Sequence, residues 1–187
     1  MQGAFLVPLQ HLKSQRGQLL PLFRKRNDMI DKQIVIDAVN DFLSRTDAFL
    51  VDVTIDRENN IVVEIDSPTG IDLDACVELS HHIDESLDRD VEDYSLEVGS
   101  AGLTSPMKVH GQYLKNVGND VEVLTRDGRK LHGKLTAVSD EADGNFTFTV
   151  EVPTKVKQPG AKRPTIVAET LTFSPKDVKS VVYDLKV

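Results

Sequence analysis

Apolar residues change their spacing repeatedly along this chain, and each change marks a different kind of element. Ile30, Ile34, Val35, Ala38, Val39 and Phe42 recur three and four apart, which predicts an amphipathic helix over residues 30–45. Alternation then takes over. Phe49, Val51, Val53 and Ile55, followed by Ile61, Val63 and Ile65, occupy every second position, the pattern of two half-buried strands. Asn59-Asn60 between them tolerates the left-handed backbone of a tight hairpin, and Ser67-Pro-Thr-Gly70 ends the second strand. Helical spacing returns with Leu73, Cys76, Val77, Ser80, Ile83 and Leu87, read as the buried stripe of a helix over 73–87. Asp72 is its N-cap, and Asp74 favours its first turn. A third strand over 94–98 puts Tyr94, Leu96 and Val98 on one face. The order α-β-β-α-β predicts two helices on one face of a small mixed three-stranded sheet.

From Asn119 onward the pattern is short strands and turns. Val121 and Val123 open one strand, Asp127-Gly128 signals a hairpin, and residues 130–138 supply its partner. Asp143-Gly144 predicts another turn before the alternating Phe146, Phe148 and Val150, and residues 166–173 and 178–183 complete the set. Five short strands without a helical pattern predict a small closed or nearly closed β-barrel of SH3-like or Sm-like type. The fold class is α+β. Residues 29–104 form an amino-terminal α/β domain, 105–118 a linker with a short helix, and 119–187 the barrel.

Charge sharpens this division. The net charge is -8, but residues 1–27 carry five bases and no acids, residues 28–112 net -15, and residues 113–187 net +2. So steep a change implies parts with different partners. The acidic stretch repels nucleic acid phosphate and attracts basic proteins, which argues against a whole-surface RNA binder. Pro8, Gly17 and Pro21 break any periodic pattern in residues 1–28. That segment is read as a disordered extension, with Met29 as the natural start; a transit peptide or a basic RNA-binding tail are the alternatives. Cys76 is the only cysteine, and no apolar run is long enough to span a bilayer. A cytoplasmic chain without membrane contact is expected.

Motifs for catalysis are missing. There is no Gly-rich phosphate loop, no dinucleotide fingerprint and no His-Glu-x-x-His sequence. His81 and His82 lie near Cys76 and Glu85, but adjacent helical residues diverge by about 100°, so the two cannot share one face with Cys76. Exposed helix histidines are expected, with no metal. Ser100 has no evident base beside it and is read, with Gly102 and Pro106, as part of an interdomain turn. No catalytic, cofactor-binding or metal-binding residue is assigned. Residues 153–164 contain three prolines and the bases Lys155, Lys157, Lys162 and Arg163, with no acid. They form either a solvated hairpin tip or a basic finger that touches RNA phosphates without reading sequence, since no aromatic stacking platform is present. Arg126, Arg129 and Lys130 flank the Asp127-Gly128 turn and would add to the same positive end.

The most specific stretch is the join. Tyr94-Ser-Leu-Glu-Val-Gly-Ser-Ala-Gly-Leu-Thr-Ser-Pro-Met107 resembles the signature of the ribosome maturation factor RimP family, a Tyr-x-Leu-Glu-Val strand followed by Ser-Ser-Pro-Gly-Leu-Asp-Arg-Pro-Leu. Val63-Glu-Ile-Asp-Ser-Pro-Thr-Gly-Ile-Asp-Leu-Asp-Ala-Cys76 is similar to the family's strand, turn and second-helix start. Gly118-Asn-Asp-Val-Glu-Val123 and Arg129-Lys-Leu-His-Gly-Lys-Leu135 resemble the opening hairpin of its carboxy-terminal barrel. The resemblance spans about residues 30–185 in unbroken order. It implies a non-enzymatic, cytoplasmic, monomeric assembly factor of the small ribosomal subunit. It also implies binding to an immature rRNA–protein particle, with the barrel contacting a basic small-subunit ribosomal protein of the decoding region. Two departures stand out. Ala101-Gly102 replaces the family's Pro-Gly, and Thr104-Ser105 its Asp-Arg, so a contact through that arginine does not carry over. Gly102 is expected to take a backbone conformation unfavourable for other residues. A stand-alone RNA-binding module of Sm/KH-like type is the alternative, and the -15 stretch weighs against it; a hydrolase has no supporting constellation.

Overall fold

A computed structural model of the protein describes residues 30–89, 93–141, 145–156 and 165–185. The extension 1–28 and the Asp143-Gly144 turn lie outside the described residues.

Helix α1, Lys32–Leu43, starts where Asp31 accepts a hydrogen bond from the Gln33 N–H at 2.9 Å, a cap worth about 1 kcal/mol. It buries Val35, Ala38, Val39 and Leu43, while Ile34, expected on the same stripe, is 47% exposed. Strands β1, Phe49–Ile55, and β2, Asn60–Asp66, pair antiparallel. Their turn places Asn59 at φ 59°, as its residue type allows, and the Asp56 carboxylate accepts the N–H groups of Glu58 and Asn60 at 2.8 and 2.9 Å. Helix α2, Leu73–Ser86, is capped by Asp72, which accepts from the Ala75 N–H at 2.8 Å.

The stripe expected on α2 needs correction. Cys76, Leu79 and Ile83 are buried, whereas Leu73 is 76% and Val77 47% exposed. At about 100° per residue, a stripe centred on Leu79 and Ile83 leaves Leu73 roughly 100° and Val77 roughly 140° from its centre. Strand β3, Ser95–Ser100, runs parallel to β2, giving the order β1-β2-β3 with β2 central. The helices cover one face, and Val35, Val39, Leu79 and Ile83 meet Val53, Ile61, Val63 and Ile65 in one core.

The short helix α3, His110–Lys115, precedes five antiparallel strands: β4, Asp120–Thr125; β5, Lys130–Asp140; β6, Phe146–Val156; β7, Thr165–Phe173; and β8, Val178–Tyr183. Gly128, at φ 89°, makes the β4–β5 turn. The sheet order is β7-β6-β5-β4-β8. No ladder joins β7 to β8 among the described residues, so the expected closure is not part of the observed pairing. β5 serves two neighbours in turn. It pairs with β4 from Lys130 to Lys134 and with β6 from Lys134 to Asp140, with a register shift between Leu135 and Ala137. A second core gathers Val121, Val123, Leu135, Phe148, Val150 and Val181.

The loop expected over 153–164 is shorter than its composition suggests. Residues 153–156 continue β6, with Pro153 opposite Ala168 and Lys155 opposite Ile166. β6 has by then outrun β5, whose ladder reaches only Glu151, so Pro153 has a free side on which a missing N–H costs nothing. Lys157, Lys162 and Arg163 lie outside the described residues.

Candidate functional site

The join begins where the Ala101 N–H donates to the Ile65 carbonyl at 3.0 Å, extending the first sheet. It ends where the Met107 N–H donates to the Val181 carbonyl at 2.8 Å, attaching the chain to the second. Between them the Ser105 N–H donates to the Gly102 carbonyl at 2.9 Å in an exposed turn that leads to Pro106. Gly102 has no positive φ, contrary to expectation. A Cβ there would instead meet the Ser105 Oγ at 3.1 Å, so the limit at this position is space and not backbone conformation. The Ser100 hydroxyl donates to the neighbouring Ala101 carbonyl at 3.3 Å. A cleft of about 160 Å³ at the join is lined by Asp66, Ser100, Gly102, Ser105, Lys115 and Tyr183, among others.

Helix α3 connects the two halves by having two working sides. On one, Tyr113 is buried with its ring centroid 5.0 Å from Phe146 and 4.9 Å from Phe148. Burial pushes its phenol up to about 12. The Gln112 side-chain carbonyl accepts the Lys108 and Val109 N–H groups at 2.7 and 3.3 Å, fixing the helix start. On the other side Gly111 lies against the ring of Phe49, and Lys115, with Lys108 just before the helix, reaches the first sheet. Lys108 Nζ lies 2.8 Å from both Asp52 Oδ2 and Glu64 Oε2, and Lys115 Nζ 2.7 Å from Asp66 Oδ1.

Asp52 and Glu64 are direct partners across β1 and β2, so two like charges face each other until Lys108 joins them. Its hydrogen bond holds the Asp52 carboxyl below the usual range, and hydrogen bonds to Asp52 and Glu64 raise the Lys108 ammonium. Local sequence pattern alone does not pair these acids with a cation. The available signal was their alternation with the buried apolar positions, which puts them on the sheet face that α1 and α2 leave uncovered.

The predicted basic residues divide by environment. Arg126 Nε donates to the Lys176 carbonyl. Arg129 pairs with Asp127 at 2.7 Å, and Lys130 with Glu122 at 3.0 Å. The Asp127 carboxyl is held below its usual range by the Thr125 hydroxyl and by Arg129. Lys155 is exposed on β6, and no hydrogen bond or ion pair links it to the 126–130 turn among the described residues.

Burial, and then the nearby Asp72 charge, pushes the Cys76 thiol up, the opposite of an activated nucleophile. His82 lies 3.3 Å from Asp41 and 5.7 Å, ring to ring, from Phe42. Among the described residues no three His, Cys, Asp or Glu side chains are grouped to hold a metal, and no helix is long and apolar enough to cross a membrane.

Residues 38–104, from within α1 to the turn after β3, match the family model of the RimP N-terminal domain. A protein of Porphyromonas gingivalis strain W83 named ribosome maturation factor RimP is 44% identical over 154 residues, covering 82% of this chain and 98% of the relative. The chain belongs to the RimP family. A RimP of Flavobacterium psychrophilum is 35% identical over 108 residues, 58% of this chain and 69% of that protein. One of Cytophaga hutchinsonii is 31% identical over 132 residues, 66% of this chain and 77% of that protein. RimP membership spans both cores, since the Porphyromonas match exceeds the length of either half.

Proposed function

We propose that this chain acts without catalysis in maturation of the small ribosomal subunit, binding a precursor particle of rRNA and protein. The observation that carries this reading is 44% identity across 98% of a relative named ribosome maturation factor RimP. The labour is divided between two domains, residues 29–104 and 119–187, with 105–118 between them and residues 1–28 dispensable. The carboxy-terminal sheet, taken as an SH3-like barrel, contacts a basic small-subunit ribosomal protein of the decoding region. Lys155, Lys157, Lys162 and Arg163 add grip on rRNA phosphates. Arg126, Arg129 and Lys130 contribute less, because Arg129 and Lys130 already face carboxylates. The first domain, with most of the -15 charge of residues 28–112, avoids phosphate and faces basic ribosomal-protein segments. The protein works as a cytoplasmic monomer.

Co-sedimentation of the tagged chain with precursor subunits, mature subunits and naked rRNA tests this reading. Enrichment on precursors is expected. Equal binding to naked rRNA would favour the stand-alone RNA-binding module instead.

A further inference from the structure

We propose that the angle between the two halves is set by an ionic latch, which α3 lays across the uncovered face of the first sheet and which opens about residues 102–106 as ionic strength rises. The hinge is defined by what flanks it. Ala101 is bonded to the first sheet and Met107 to the second, and the five residues between them belong to no ladder. Among the described residues the Gly102–Ser105 turn is the one backbone hydrogen bond within them, and Gly102, Leu103, Thr104 and Pro106 are exposed.

What holds the halves together across this hinge is mainly charge. The two hydrophobic cores are separate clusters with no buried residue in common. Among the described residues, Lys108 with Asp52 and Glu64, Lys115 with Asp66, and the Phe49 ring against Gly111 bridge them. Interfaces without a large apolar area leave relative motion as the default. Exposed ion pairs weaken as added salt screens them.

The two lysines differ in a way that gives the latch a signature. Lys108 and its acids keep side-chain exposures of 42, 31 and 31%, so salt reaches them readily. Asp66 is only 10% exposed at its side chain, and the oxygen that meets Lys115 also accepts the Ser67 N–H at 2.8 Å. Removing Lys115 leaves a nearly buried carboxylate without its counter-charge, and that carboxylate regains water when α3 moves away. Lys115→Ala therefore drives opening more strongly than the absence of a single exposed ion pair would. Removing Asp66 as well relieves that drive.

The test uses the full chain carrying Cys76→Ser, with spin labels at Leu73→Cys on α2 and Lys179→Cys on β8, both exposed positions. Inter-label distances are read from roughly 0.05 M to 1 M salt, a range over which the screening length falls to about 3 Å. At low salt the unsubstituted latch should give a narrow distribution that shifts to longer, broader distances as salt rises. Lys115→Ala should be broad already at low salt, and Lys115→Ala with Asp66→Ala should recover much of the narrow population. A narrow distribution at every salt concentration, with or without Lys115, would show a rigid join and overturn the latch. So would a double variant as broad as Lys115→Ala, because the unpaired carboxylate would then not be the driving element. The salt series on the unsubstituted latch needs neither variant to fold.

Discussion

Gly133 of β5 passes so close to Glu151 of β6 that a Cβ at residue 133 would fall inside contact distance of the Glu151 carbonyl oxygen and 2.8 Å from Val150 Cγ1. This is the point at which β5 leaves β4 for β6, since Lys134 pairs with both. With no side chain at this position, β5 lies directly against the main chain of its neighbour.

Gly133→Ala should destabilise the protein by about 1–3 kcal/mol, the usual cost of forcing extra volume into a packed site. Gly99→Ala is the matched control, a strand glycine with nothing within 4 Å of its Cβ direction and no positive φ. Thermal or urea denaturation of both variants checks this. Equal stability of the two would mean that β5 and β6 are not so tightly packed.

Leu79→Ala should cost about 2–5 kcal/mol, because its side chain is fully buried between α2 and the first sheet. Leu73→Ala should stay within about 0.5 kcal/mol, as an exposed residue away from special features. Chemical denaturation of the two variants distinguishes the observed stripe of α2 from the one that its spacing first suggests.

These residues show where the sequence was legible and where it was not. Strand alternation and the Asn59 and Asp127-Gly128 turns located the strands, because period-two burial and turn chemistry are local. On α2, Leu73 and Val77 have the right residue type and near-helical spacing. Which of several apolar stripes is buried depends on how the helix is rotated on its sheet, and that is a tertiary choice. The role of α3 was hidden for the same reason. Lys108, Lys115 and their three acids are 44 to 56 residues apart in the chain, and no local rule pairs them. Gly102 was misread because a glycine in a turn suggests positive φ, while here Ser105 crowds it at an ordinary one.

Alkali should loosen the second core through Tyr113. Its phenol is neutral when protonated, and folding raises its pKa from about 10 to about 12. The folded chain holds that proton more tightly than the unfolded one. The corresponding stability is complete below pH 10 and falls as pH rises from about 10 through about 12. A tyrosinate absorbance titration of the three tyrosines should lose its latest component in Tyr113→Phe. Titration of Tyr113 near 10 in the folded chain would contradict its burial.

Replacing Lys155, Lys157, Lys162 and Arg163 with Ala should weaken binding to precursor subunits and flatten its salt dependence. Removing one phosphate contact reduces the log–log slope by roughly 0.7–0.9, and partial engagement of four bases gives a total of about one to three. Binding measured across a salt series reads this directly. Unchanged affinity and slope would make the segment a solvated hairpin tip.

The proposed action in maturation of the small subunit is tested by deleting the gene and resolving ribosomal particles on sucrose gradients, with rRNA ends mapped in each fraction. Fewer mature small subunits, accumulated unprocessed small-subunit rRNA and fewer translating ribosomes are expected, all restored by the intact gene. Normal subunit profiles and fully processed rRNA in the deletion strain, during both fast growth and growth in the cold, would contradict it.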